Sequence, residues 1–127
     1  AVPSVATYSA AALIAAQTSF RDLLDSGSAA GKIRVRDASD VLLVDIPLTD
    51  PAGTINGAGL LTITASAAGT AAVTSTAAYG ELCNSDNTVY LALPAEAGRV
   101  AVSGKIVLNT LSIVSGGPVE LVSATIG

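Results

Sequence analysis

At Gly27 the hydrophobic repeat of this chain changes from 3.6 residues to two, and that switch constrains the fold more than any other feature of the sequence. Before it, Leu13, Ala16, Phe20 and Leu24 share one helical face, with Gln17, Arg21, Asp22 and Asp25 largely elsewhere. Thr7 or Ser9 can cap the helix N-terminus, and Gly27 is the expected left-handed stop, which predicts a single helix over residues 9–26. One helix cannot supply the crossovers of a parallel α/β sheet. The remainder must therefore be built from strands that turn back on themselves.

The closing stretch, Lys105 to Ile126, alternates on both sides of Ser115-Gly116-Gly117-Pro118 and predicts a β-hairpin. A lone hairpin is marginally stable, so it must pack on upstream strands. Lys32-Ile33-Arg34-Val35-Arg36 puts three cations on one face and two β-branched residues on the other. Asp37 to Asp40 is a turn, Val41 to Leu48 a second strand ending near Pro47, and Thr49 to Gly57 a surface loop. Leu61 to Ser66 and a Thr-rich run from Ala71 to Leu82 follow, then a turn at Asn84 to Asn87. Thr88 to Leu93 reads as a strand stopped by Pro94, and Val100 to Val102 as a short strand. Seven or eight strands with turns every 8–12 residues predict a mainly β fold, an antiparallel β-sandwich of jelly-roll or Ig-like type with one N-terminal helix. The chain divides into an arm over residues 1–8, extended and uncharged with Pro3 in it, and one domain over 9–127. Ala1 reads as a start exposed by Met removal.

Composition narrows the chemistry. Half the residues are hydrophobic but only 3% aromatic, so the core must consist of thin layers of Ala, Val, Leu and Ile. Each side chain then contributes at most about 1.5–3 kcal/mol, and burial against neighbours is valuable. A net charge of −4 with six Lys and Arg leaves no basic stripe for nucleic acid. The uncharged run from Pro51 to Gly80 is too rich in Gly, Thr and Ser for a membrane span. His is absent, removing the commonest general base and metal ligand. Cys83 has no basic neighbour in sequence to activate it and reads as a buried hydrophobe. The pairs Asp37 with Asp40 and Asp45 with Asp50, and the oxygens of Asn84, Asp86 and Asn87, read as turn caps in preference to hydrolytic or Ca²⁺ sites. The glycines at 53, 57 and 59 precede a strand, which is wrong for phosphate binding. The expectation is a protein without enzymatic activity, cofactor, metal or small-molecule substrate.

The order of parts resembles a family of small structural proteins of tailed bacteriophages, the minor capsid or head decoration proteins. The resemblance is carried by Phe20-Arg21-Asp22-Leu23-Leu24-Asp25-Ser26-Gly27, Gly31-Lys32-Ile33-Arg34-Val35 and the run from Leu42 to Pro47. It continues through Gly57-Ala58-Gly59-Leu60-Leu61, Leu108 to Ile113, and Gly116-Gly117-Pro118-Val119. It implies a virion protein made in the bacterial host cytoplasm and placed on the capsid surface. Its partners would then be the major capsid protein and copies of itself, as a homotrimer. On that reading Val2, Pro3 and Val5 of the arm and the cationic face Lys32, Arg34 and Arg36 are the candidate contact residues. A head-completion or tail component shares the composition, and an adhesin-like carbohydrate-binding sandwich shares the expected fold but has few aromatics to stack on sugars.

Overall fold

The computed structural model describes residues 9–102 and 104–126. The helix α1 spans Ala10–Leu24, with the Ser9 hydroxyl accepting from Ala12 N–H at 3.2 Å as N-cap. It ends at Asp25, and Gly27 follows with φ +133°. Phe20 and Leu24 lie on its inner side as the periodicity predicts, but Gln17 takes the buried place expected of Ala16. The Gln17 amide donates to the Ile126 carbonyl at 2.9 Å, which satisfies a polar group that burial would otherwise penalise.

The strands are β1 (Lys32–Arg36), β2 (Leu42–Ile55), β3 (Leu61–Ala65), β4 (Gly69–Thr70), β5 (Ser75–Thr76), β6 (Tyr79–Cys83), β7 (Val89–Ala97), β8 (Ile106–Leu108), β9 (Ser112–Ile113), β10 (Pro118–Val119) and β11 (Leu121–Ile126). The expected sandwich is corrected: seven strands close into a barrel in the order β1-β2-β3-β11-β8-β7-β6. Two further ribbons, β4 with β10 and β5 with β9, complete the described residues. All-antiparallel pairing is corrected too, because β7 and β8 run parallel, with Ala95 opposite Ile106.

The prolines explain both corrections. Pro47 was expected to end a strand, and Pro94 likewise, since a proline cannot donate to a ladder. Instead each sits where one long strand changes partner. β2 pairs with β1 as far as Pro47 and then with β3 from Leu48, with a shift of register over Leu48 to Gly53 that contains Pro51. The expected loop over Thr49 to Gly57 is therefore mostly strand. β7 pairs with β6 as far as Pro94 and with β8 from Ala95. The missing N–H falls at the handover, where a strand bends from one neighbour to the next, and two such bends let the sheet curl shut.

Inside lie Ile33, Val35, Val44, Ile46, Leu61, Ile63, Leu82, Ile106, Leu108 and Ala124, none more than 3% exposed. One end of the barrel is covered by α1. Leu24 lies beside Gly31 at the start of β1, Leu13 beside Gly59 before β3, and Ser26 accepts from the Asn84 amide after β6. The other end carries the two ribbons, whose Ala71, Ala77, Ile113 and Val119 are buried against it. The expected closing hairpin survives as the pairing of β8 with β11, Leu108 opposite Leu121, but its turn is the excursion that builds β9 and β10. Residues 100–102 form no strand. They belong to the eight-residue connection 98–105, shorter than parallel crossovers usually are, where a Cβ added at Gly98 would lie 3.7 Å from the outward side chain of Val107.

Candidate interaction surfaces

The alternation of β1 turns Lys32, Arg34 and Arg36 outward, as the sequence predicts, with Ile33 and Val35 inside. Register sets Arg34 between Asp45 on β2 and Glu81 on β6. Arg34 Nε lies 3.4 Å from Asp45 Oδ1, and Arg36 Nε donates to Glu81 Oε1. Two of the three cations are thus matched within the chain, and Lys32 has no ion-pair partner among the described residues. The other candidate contacts, Val2, Pro3 and Val5, lie outside the described residues.

At the ribbon end the charged row continues into a hydrogen-bonded network. The Arg36 guanidinium also donates to the Asp40 carbonyl at 2.9 Å, and Tyr79 donates to Asp40 Oδ1 at 2.7 Å. Asp37 Oδ1 accepts from Ser39 and Val41 N–H, both at 2.9 Å, closing the β1–β2 turn. Its second oxygen accepts from the Ser75 hydroxyl at 3.0 Å, fastening β5 to the barrel. The backbone donor at Val41, and with it the bonds from Ser75 and Ser39, holds the Asp37 carboxyl below its ordinary range. Asp37 and Asp40 therefore act as turn and ribbon anchors. Glu81 and Ser75 carry no mark of these roles in the sequence. The outward phase of Glu81 is legible there, but Arg36 and Glu81 are 45 positions apart and nothing in the sequence says that their strands adjoin.

The remaining polar candidates have structural roles. Cys83 is free and buried, and burial pushes its thiol up, away from the thiolate a nucleophile requires. Asn84 Oδ1 accepts from Asp86 and Thr88 N–H at 3.0 Å each, an Asx-type turn. Among the described residues no three His, Cys, Asp or Glu side chains converge as a metal would need.

Asp25 stands apart. Its Oδ1 is buried without a hydrogen-bond partner, and burial, then the Asp50 carboxylate, raises its carboxyl above the ordinary value, with the Ala52 backbone N–H and then Arg21 opposing. A raised folded-state value means that the native protein holds this proton more tightly than the unfolded chain, so stability falls as pH rises through the interval between the two. Asp25→Asn should therefore melt higher than the wild type at pH 7, and the difference should vanish below about pH 3.9, where Asp25 is protonated in both states. Melting curves across that range check it.

The ribbon lobe is different in kind from the charged face. From Ser66 to Ala78 and from Asn109 to Val119 no side chain is charged. Ser115 N–H donates to the Thr74 hydroxyl at 2.9 Å and the Ser115 hydroxyl to the Ala72 carbonyl at 3.2 Å, setting the two tips side by side. Those tips expose Val73 by 38% and Val114 by 60%. The lobe combines a sequence run already notable for its lack of charge with a second run more than thirty residues away. No family model matches this chain, and no curated protein or solved structure matches it.

Proposed function

We propose that the protein is a structural subunit of a tailed-bacteriophage virion, seated on the capsid surface and acting by association with the major capsid protein and with copies of itself, as a trimer. The observation that carries the reading is the lobe: residues 66–78 and 109–119 expose mostly Ala, Thr, Ser, Gly and Val and no charged side chain, with Val73 and Val114 at the tips. A free monomer gains nothing from leaving such a surface uncovered. Burying it against another subunit removes apolar area from water without stranding a charge. The resemblance stated above supplies the kind of assembly, and the paired charges of β1 offer a solvated flank beside the contact.

The test is attachment to particles. Purified capsids lacking the protein should bind it in cosedimentation, and the double variant Val73→Asp, Val114→Asp should bind at least about tenfold more weakly, since a carboxylate buried without a partner costs well over 1.4 kcal/mol. Both positions are exposed, so the variant should melt within a few degrees of the wild type. Unchanged attachment of a folded variant contradicts the reading.

A further inference from the structure

Between β3 and β11 the barrel closes through a short ladder. Among the described residues two pairs are in register there, Leu61 with Ile126 and Thr62 with Thr125. Further along β3, the Thr64 carbonyl accepts from the Thr49 hydroxyl at 3.3 Å and Ser66 N–H donates to the Pro47 carbonyl at 2.9 Å, so both turn toward β2. By strand alternation Ile63 and Ala65 turn their backbone groups toward β11, beyond the last registered pair. On β11 the register with β8 shifts between Leu121 and Ser123, leaving Val122 as an extra residue, 39% exposed. The strands part around a cavity of about 210 Å³ lined by Ala65, Ser66, Ala67, Ala68, Glu120 and Leu121. It is open to solvent, with room for the tip of a branched aliphatic side chain against its Ala methyl groups. The cavity has one charge on its rim. Glu120 is exposed and forms no ion pair among the described residues.

The same molecule carries the complement. In the 98–105 connection Val100 is 76% exposed, the most exposed large hydrophobic side chain among the described residues, with Val102 at 36%. Beside it Arg99 is exposed and likewise without an ion pair among the described residues. A cationic knob and an anionic, alanine-lined hole lie on different elements of one chain. We infer that copies of this protein associate head to tail, Val100 of one copy seating in the Ala65–Ala68 cavity of the next with Arg99 paired to Glu120. Made in one sense only, such a contact is heterologous and closes as a ring when the rotation between copies divides the circle; made reciprocally by two copies, it closes as a two-fold dimer. A contact built on one side chain and one ion pair falls at the weak end of protein association, so it is sought at high concentration, on the order of 100 µM and above. It does not depend on the virion reading, because it concerns the isolated protein.

Sedimentation velocity across a concentration series tests it. The wild type should associate, and Arg99→Glu, Glu120→Lys and Val100→Asp should each weaken association about tenfold or more while circular dichroism and melting stay unchanged. The decisive arm mixes the two charge-reversed proteins. Each alone places like charges across the contact, but an equimolar mixture offers a Glu knob to a Lys hole and an Arg knob to a Glu hole, so association should return as species in which the two proteins alternate, a one-to-one dimer first. A pair formed within one molecule cannot give that result. A wild type that stays monomeric at about 500 µM, inside the range in which association is sought, overturns the inference, as does a mixture that fails to recover. Association untouched by all three substitutions also overturns it, and then points to the lobe, leaving the attachment test above to stand or fall separately.

Discussion

Ile106→Ala should cost about 2–5 kcal/mol, the range for emptying a large aliphatic side chain from a well-packed interior. Ile106 is fully buried at the start of β8, with Ala95 of β7 on one side and Ala124 of β11 on the other. Its side chain reaches across to β6, where the bare Cα of Gly80 leaves room for it next to Ile33. Truncation opens a cavity at the parallel joint that completes the barrel, and small neighbours such as Ala95 and Ala124 cannot collapse into it. Against a total stability of about 5–15 kcal/mol, one such loss removes a large fraction. Urea unfolding should show a lower midpoint at unchanged slope. A loss under about 0.5 kcal/mol would place Ile106 outside a closed interior, because surface changes fall in that range.

Gly31→Ala should be nearly as damaging for the opposite reason. A Cβ there would lie 2.6 Å from the Leu24 carbonyl oxygen and 2.7 Å from that of Cys83. Both obstacles are backbone, one at the end of α1 and one at the end of β6, so no rotamer change relieves the clash. The helix must lift from the barrel mouth, uncovering the fully buried Leu24. Overpacking of this kind costs about 1–3 kcal/mol or more, which at about 4 °C per kcal/mol lowers the melting temperature by roughly 4–12 °C. Gly57→Ala is the control, since nothing lies within 4 Å of its would-be Cβ, and its melting temperature should stay within about 2 °C of the wild type. Equal effects at the two glycines would mean that α1 does not close on β1 as described.

Local features were legible because they depend on neighbours in sequence. The alternation of Lys32 to Arg36 yields the strand with its observed bounds and faces, and Asn84 caps its own turn. The helix, with Ser9 as its cap, needed only a 3.6-residue repeat. Long-range features were hidden because they depend on which strands adjoin. The barrel turns on Pro47 and Pro94, and a proline that ends a strand looks the same in sequence as one that marks a change of partner. Gln17 was misplaced by a residue because polarity argued it outward, while the Ile126 carbonyl that satisfies it lies 109 positions away. The uncharged lobe was half visible, as the run from Pro51 to Gly80. Its second half comes from a turn that sequence patterning compresses into Ser115 to Pro118, where the chain instead detours through β9 and β10. The seam and the exposed Val100 leave no local mark, since both follow from where a ladder stops.

Amide hydrogen exchange of the protein free and bound to capsids tests the central claim, that the uncharged lobe is the working surface, most directly. New protection is expected over residues 66–78 and 109–119 on binding, with the helix end, Ala10 to Leu24, exchanging as in the free protein. Protection confined to the helix end, or to the Lys32–Arg36 face with the lobe unchanged, would contradict it.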